Sequence, residues 1–278
     1  MTITEATAQT HEYEFGHSDW ELERLRRQAE LVAPITLQFY RDAGIAKGMR
    51  VLDVGCGAGD TALLLAELVG DDGFVLGVDR APAAVAAARD RIKKLGKRNI
   101  SFRLSEPEIE EGAPFDAVAG RYVLMFNPDP AGIIKAVGKL ARPGGIIVFH
   151  ELDFSGRRSN PPAPMYDRCC DLIVETVKKN GTDPFMALGL YRAFVQAGLA
   201  PSMDLRAVIS GPVDGYGSVD REAQAAITLA PIMREHGLIG QDDEINAPNF
   251  QERMCEEARR LGSVVIGPLE IGAWARVT

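Results

Sequence analysis

Apolar residues recur along this chain at two different spacings. Leu22, Leu25, Ala29 and Val32 fall three or four positions apart, the spacing of one helix face, behind a Ser18–Glu21 pair that makes an S-x-x-E capping box. This predicts a helix to about Val32, and a second short helix carrying Leu37 and Tyr40 before the breaks at Gly44 and Gly48. From Arg50 the pattern shortens to unbroken apolar runs: RVLDVG, FVLGVD, ISFRL, FDAVAG and IIVFHELDF. Between them lie TALLLAELV, closed by Gly70, an alanine-rich helix opened by Pro82 and closed by Gly96, and a helix opened by Pro130 and closed by Arg142-Pro143-Gly144-Gly145. Short strands that are apolar throughout, alternating with helices, predict a mainly parallel sheet covered on both faces, a doubly wound α/β fold.

Past Asp153 the rhythm loosens. Helices are expected over 164–179 and after Asp183-Pro184, with strands at 203–210 and 263–277. The stretch between these last two strands is too long for a loop, so it must carry helices of its own and reads as a cap over 212–262. The expected organisation is an arm and helical lid over 1–44, a ligand-binding core over 45–155, and over 156–278 the remainder of the sheet with its cap.

The first loop, Gly55-Cys56-Gly57-Ala58-Gly59-Asp60, follows a parallel strand, where doubly wound sheets bind ligands. Gly55 and Gly57 let a backbone approach a ligand, although a tight structural turn would use the same residues. A dinucleotide fingerprint would place glycine at position 60. Asp60 stands there instead, set against a pyrophosphate at the helix N-terminus and against NAD. Asp79, at the end of the second strand, can accept both hydroxyls of a ribose or cap the next helix. Ser105-Glu106, after the third strand, offers an acceptor for an adenine amino group or a solvated loop acid.

Taken in order, VLDVGCGAGD, GVDRAP, FDAVAGRYVLMF and LARPGGIIVFHE resemble class I S-adenosylmethionine-dependent methyltransferases of the small-molecule type. The resemblance is strong over 45–155 and looser at both ends. It implies a Rossmann-like seven-stranded sheet whose last strand is antiparallel, an enzyme of methyl transfer, and S-adenosylmethionine as cofactor. It implies that Asp53 receives the cofactor's ammonium, that Gly55 and Gly57 lie along its amino-acid portion, that Asp79 and the adjoining Arg80 meet the ribose, and that Gly120 and Arg121 flank the methionine moiety. Glu106-Pro107 departs from the Asp-Ala common at that position and leaves the adenine contact the least secure. Tyr13 and Arg27, from the arm and lid, are expected to close over the cofactor, Arg27 against its carboxylate.

His150 and Glu151, after the fifth strand, are the candidate general bases. Neighbouring strand positions face opposite ways, so only one of them can look into the cleft. Trp20, Met125, Tyr166 and Met186 are expected to line an acceptor pocket for a small, apolar or aromatic molecule, with the acceptor atom (O, N or C) undetermined. The alternative is a protein that binds the cofactor but performs a non-methylating reaction or serves as a ligand-binding module.

A formal net charge of −8 argues against nucleic acid, and no run suits a membrane span. The four cysteines fit neither a disulfide framework nor a metal site, and Cys169-Cys170 reads as helix packing before an arsenic-binding pair. A cytoplasmic protein without metal, with a small-molecule acceptor and allowing a homodimer, is the expectation.

Overall fold

The computed structural model describes residues 19–104, 114–211 and 215–278. Its sheet follows the predicted runs closely: β1 (Arg50–Val54), β2 (Phe74–Asp79), β3 (Ile100–Leu104), β4 (Phe115–Arg121) and β5 (Ala141–Asp153). These pair in parallel in the order β3-β2-β1-β4-β5, so the chain reverses its winding direction between β1 and β4. The last strand, β8 (Val264–Arg276), lies antiparallel to β5 and, on its other side, to β7 (Ser202–Ser210). A three-residue strand, β6 (Arg158–Asn160), continues along the β5 side of β8 beyond a short 3-10 turn. The sheet therefore has eight strands where seven were expected, the extra one being this continuation.

Helices α2 (Asp60–Val69) and α3 (Pro82–Leu95) join α1 (Asp19–Ala43) on one face. Helices α4 (Pro130–Gly138) and α6 (Met186–Gln196) cover the other. The strands are apolar on both sides because both sides are covered: Val51 and Val148 fill one layer, Leu52 and Phe149 the other. A separate cluster joins α5 (Pro164–Lys179), α7 (Ser218–Glu235) and α8 (Phe250–Leu261) against Val265 of β8. This cluster joins α5 to the helices between β7 and β8, the span expected to form a cap.

One prediction fails at the front of the chain. The two short helices are a single 25-residue helix, α1, running through Pro34. Proline there removes one backbone N–H, at a position turned to solvent, while the buried Val32, Phe39 and Tyr40 on either side hold the helix to the core.

Candidate functional site

At the carboxyl end of β1 the chain turns through three glycines. Gly55 and Cys56 give their N–H groups to the carbonyl of Val78 at 2.8 and 3.0 Å, which ties this loop to β2. All three glycines have positive φ, but for different reasons. A Cβ on Gly55 would stand 2.6 Å from Val123, and one on Gly59 would stand 2.7 Å from Phe102. Gly57, at φ +51°, faces nothing within 4 Å. The first two glycines serve packing; Gly57 keeps a space open.

Two acids frame that space. Asp79 accepts the N–H of Gly57 at 2.8 Å and that of Ala81 at 2.9 Å, one on each oxygen. It therefore pins the first loop to the second and retains lone pairs on both oxygens for further donors. Asp53 is fully buried and neither of its oxygens has a hydrogen-bond partner in the protein. Burial, with the carboxylates of Asp79 and Asp60 nearby, pushes it up to about 8, against the pull of Arg121. The Tyr40 hydroxyl, from α1, is likewise buried without a partner and feels the field of Asp53. Asp60 itself is matched by Arg91 of α3 at 2.5 Å, so the loop's outer acid is already paired.

Beside this cleft, the ends of β4, β5 and β8 meet in a polar network. Tyr122 follows β4 with φ +57°, the one non-glycine residue with positive φ among those described, and such outliers cluster at functional sites. Its hydroxyl donates to Glu270 Oε2 at 2.7 Å. His150 Nε2 lies 2.8 Å from the same oxygen, its Nδ1 3.2 Å from Thr36 Oγ1 of α1, and Arg221 of α7 donates to Glu270 Oε1 at 2.9 Å. Burial works against ionised Glu270, but Arg221, His150 and Tyr122 outweigh it and hold the carboxyl down at about 2. Burial, with help from Arg121 and Arg221, lowers His150 despite the pull of Glu270. A neutral imidazole facing an ionised carboxylate must present Nε2–H to it. Nδ1 is then the lone-pair nitrogen.

Set against known proteins, the methyltransferase-domain family matches residues 45–187. The chain belongs to the methyltransferase-domain family. It is 36% identical over 127 residues to aklanonic acid methyltransferase DauC of Streptomyces sp. strain C5, covering 45% of this chain and 52% of that protein. It is 32% identical over 144 residues to the ubiquinone biosynthesis O-methyltransferase of Paracidovorax citrulli, covering 50% and 59%. The chain thus spans about half the length of the curated relatives it matches. The YcgJ protein of Bacillus subtilis shares its fold at 15% identity, with a TM-score of 0.55 over 87% of this chain and 98% of that one.

The cofactor of such methyltransferases, S-adenosylmethionine, fits the residues present. It is a cationic nucleoside without phosphate. The cleft meets it with a buried carboxyl lacking a partner, an open glycine, and an acid at the end of β2 with spare acceptor capacity. Of the residues expected at the cofactor, Asp53, Gly55, Gly57, Asp79, Gly120 and Arg121 converge at the carboxyl ends of β1, β2 and β4, and Arg80 adjoins them on the surface. Gly120 has a packing reason as well, since a Cβ there would stand 2.6 Å from the Phe149 ring. Tyr13 and Glu106 lie outside the described residues.

The remaining candidates lie as follows. Arg27 is about half exposed and pairs with Glu23 at 3.0 Å, one turn back on its own helix. Arg24 is the buried arginine of that turn, held by Glu21 at 2.6 Å, and Glu21 in turn accepts from Thr228 of α7. Glu151 is fully buried and accepts the N–H groups of Val123, Leu124 and Met125. It holds the turn after β4. Met125 and Met186 pack in the core beside the sheet. Tyr166 packs in the cap and donates to the Ile266 carbonyl at 2.9 Å. Trp20 is 47% exposed.

Tyr122, Glu270 and Arg221 join the site without a signal in the motifs. Only Glu270 left a trace, as an acid within the otherwise apolar run VVIGPLEIGAWA.

Proposed function

We propose that this chain transfers a methyl group from S-adenosylmethionine to a hydroxyl of a small organic acceptor, with His150 taking the acceptor's proton. The observation that carries the reading is Asp53, a fully buried carboxyl without a partner at the carboxyl end of β1, next to the open space at Gly57. S-adenosylmethionine, when bound, supplies an electrophilic methyl on a positively charged sulfur.

The chain's own residues then have three tasks. Asp53 receives the ammonium and Asp79 the ribose hydroxyls, while Asp79 keeps the two loops in register through Gly57 and Ala81. Orientation of this kind supplies most of what an in-line displacement needs. His150, itself fully buried, offers Nδ1 as base once the acceptor's hydroxyl takes the place of Thr36 Oγ1 beside it, and Glu270, fixed by Arg221 and Tyr122, stabilises the charge that the imidazole acquires. Thr36, Phe39 and Tyr40 of α1 seal the site against water. Phe39 and Tyr122 both meet the His150 ring edge-on, at 4.9 and 5.3 Å.

A hydroxyl acceptor is favoured because the site holds a base backed by a carboxylate, which an acceptor without a labile proton would not use. One relative is named as an O-methyltransferase, which supports this. The test is formation of S-adenosylhomocysteine with a panel of phenolic and carboxylic acceptors. Turnover that falls at least about a hundredfold in His150→Ala supports the assignment. No product with any acceptor, despite measurable cofactor binding, would move the protein to the cofactor-binding class without methyl transfer.

A further inference from the structure

Strand β7 is a free edge of the sheet: β8 pairs with one side of it, and among the described residues no strand pairs with the other. Leu205 gives its N–H to the carboxylate of its neighbour Asp204 at 2.9 Å, so this N–H points away from β8. Strand alternation then sends the N–H and C=O groups of Met203, Leu205 and Ala207 outward together.

The same alternation gathers apolar side chains on one face. Met203, Leu205 and Ile209 are 37%, 51% and 64% exposed. Met203 and Leu205 lie beside Ala273 and Ile271, on the α6 side of the sheet, yet α6 packs on β5 and β8 and leaves them open. Asp204 and Arg206 sit on the opposite face, one to either side of Leu205, and meet each other at 2.9 Å. A nine-residue edge with an open apolar face is what sheets ordinarily cover.

We propose that a second copy of this chain covers it, the two β7 strands pairing antiparallel about a twofold axis at Leu205. The register follows from the charges and the backbone. Only outward-facing residues can exchange hydrogen bonds across the edge, so the axis must pass through a residue and not between two. An axis at Asp204 would set it against its own copy, and an axis at Arg206 would do the same with two cations. At Leu205 both charges find opposites: Asp204 faces the partner's Arg206, and Arg206 faces the partner's Asp204. Leu205 exchanges both backbone bonds with the partner's Leu205, and Met203 stands opposite the partner's Ala207. Such self-complementarity is what a twofold interface requires. A foreign strand would have no use for it.

Light scattering on the full chain should give twice the 30.1 kDa chain mass. Asp204→Arg and Arg206→Asp should each raise the dimer dissociation constant about tenfold or more, by setting like charges opposite one another. The double exchange should restore dimerisation. Leu205→Cys should be joined to its copy by a short bifunctional thiol cross-linker, the two positions facing each other across the axis. A wild-type chain that stays monomeric at high concentration overturns the proposal. So does a dimer indifferent to both charge reversals, because its interface lies elsewhere, and so does a double exchange that fails to rescue.

Discussion

Asp53 stands 0% exposed among acids, and its charge state decides what the cleft can hold. Its carboxyl is raised above the unfolded value of 3.8 to about 8. The folded, ligand-free protein therefore keeps a proton there that the unfolded chain releases, and this group's contribution to stability falls as pH rises from about 4 to about 8. A bound ammonium reverses the preference by requiring the carboxylate. Affinity for S-adenosylhomocysteine, which carries the same ammonium, should rise by up to about tenfold per pH unit toward 8 and level off above it. Calorimetry at several pH values checks this, and an equal slope in Asp53→Asn would assign the dependence to another group. Gly57→Val places a β-branched side chain in the one open position of the loop, at a left-handed φ. Cofactor binding should be lost while circular dichroism stays that of the folded protein. Wild-type affinity in that variant would make the loop purely structural.

At the scale of elements, the site depends on turns held by side chains from elsewhere in the chain. Asp79 joins the loops after β1 and β2, so Asp79→Ala should weaken cofactor binding at least about tenfold and also lower the melting temperature. Two loop N–H groups lose their acceptor together with the ribose. Glu151 does the same for the turn after β4. Burial raises it to about 7, while the three backbone donors favour its ionised form. Glu151→Gln keeps one acceptor oxygen and sets an amide N–H₂ against backbone N–H groups, at a cost of about 1–3 kcal/mol. The expected result is a lower denaturation midpoint with turnover largely preserved below it. Loss of turnover in a stably folded variant would return Glu151 to the chemistry.

For the molecule as a whole, two buried ion pairs tie the cluster of α5, α7 and α8 to the core, beside its apolar contact with Val265. The consecutive residues Arg221 and Glu222 of α7 each find a buried partner outside the cap: Arg221 meets Glu270 of β8, and Glu222 meets Arg157 beside the end of β5. Breaking one such pair strands a buried charge, which costs about 3–5 kcal/mol. Arg221→Met should therefore destabilise strongly, and adding Glu270→Gln should recover part of that loss, because the uncompensated carboxylate goes with it. Chemical denaturation of the two variants checks the order, and a double variant no more stable than the single would mean that the pair does not tie the cluster to the core. Arg221 also lowers His150. Its removal should let the imidazole protonate at higher pH, visible by NMR.

The sequence by itself determined the elements and the first half of the site. Strand and helix periodicity depend on neighbours in the chain, and so does the glycine turn that follows a buried strand. RVLDVG, FVLGVD and FDAVAG therefore announce both the sheet and the positions of Asp53, Gly57 and Asp79. Chain order also placed the last strand, although not the continuity of α1 through Pro34, where burial on both sides outweighs one missing N–H. The second half of the site was decided by tertiary structure alone. Glu270 lies 120 residues from His150 and 148 from Tyr122, and no spacing rule relates them. Side by side in sequence, His150 and Glu151 look equivalent. Pairing of β8 with β5 turned one toward Glu270 and α1, while the turn after β4 claimed the other. Which polar group meets which is settled only when the sheet docks its helices, because a buried acid must then find donors or hold its proton.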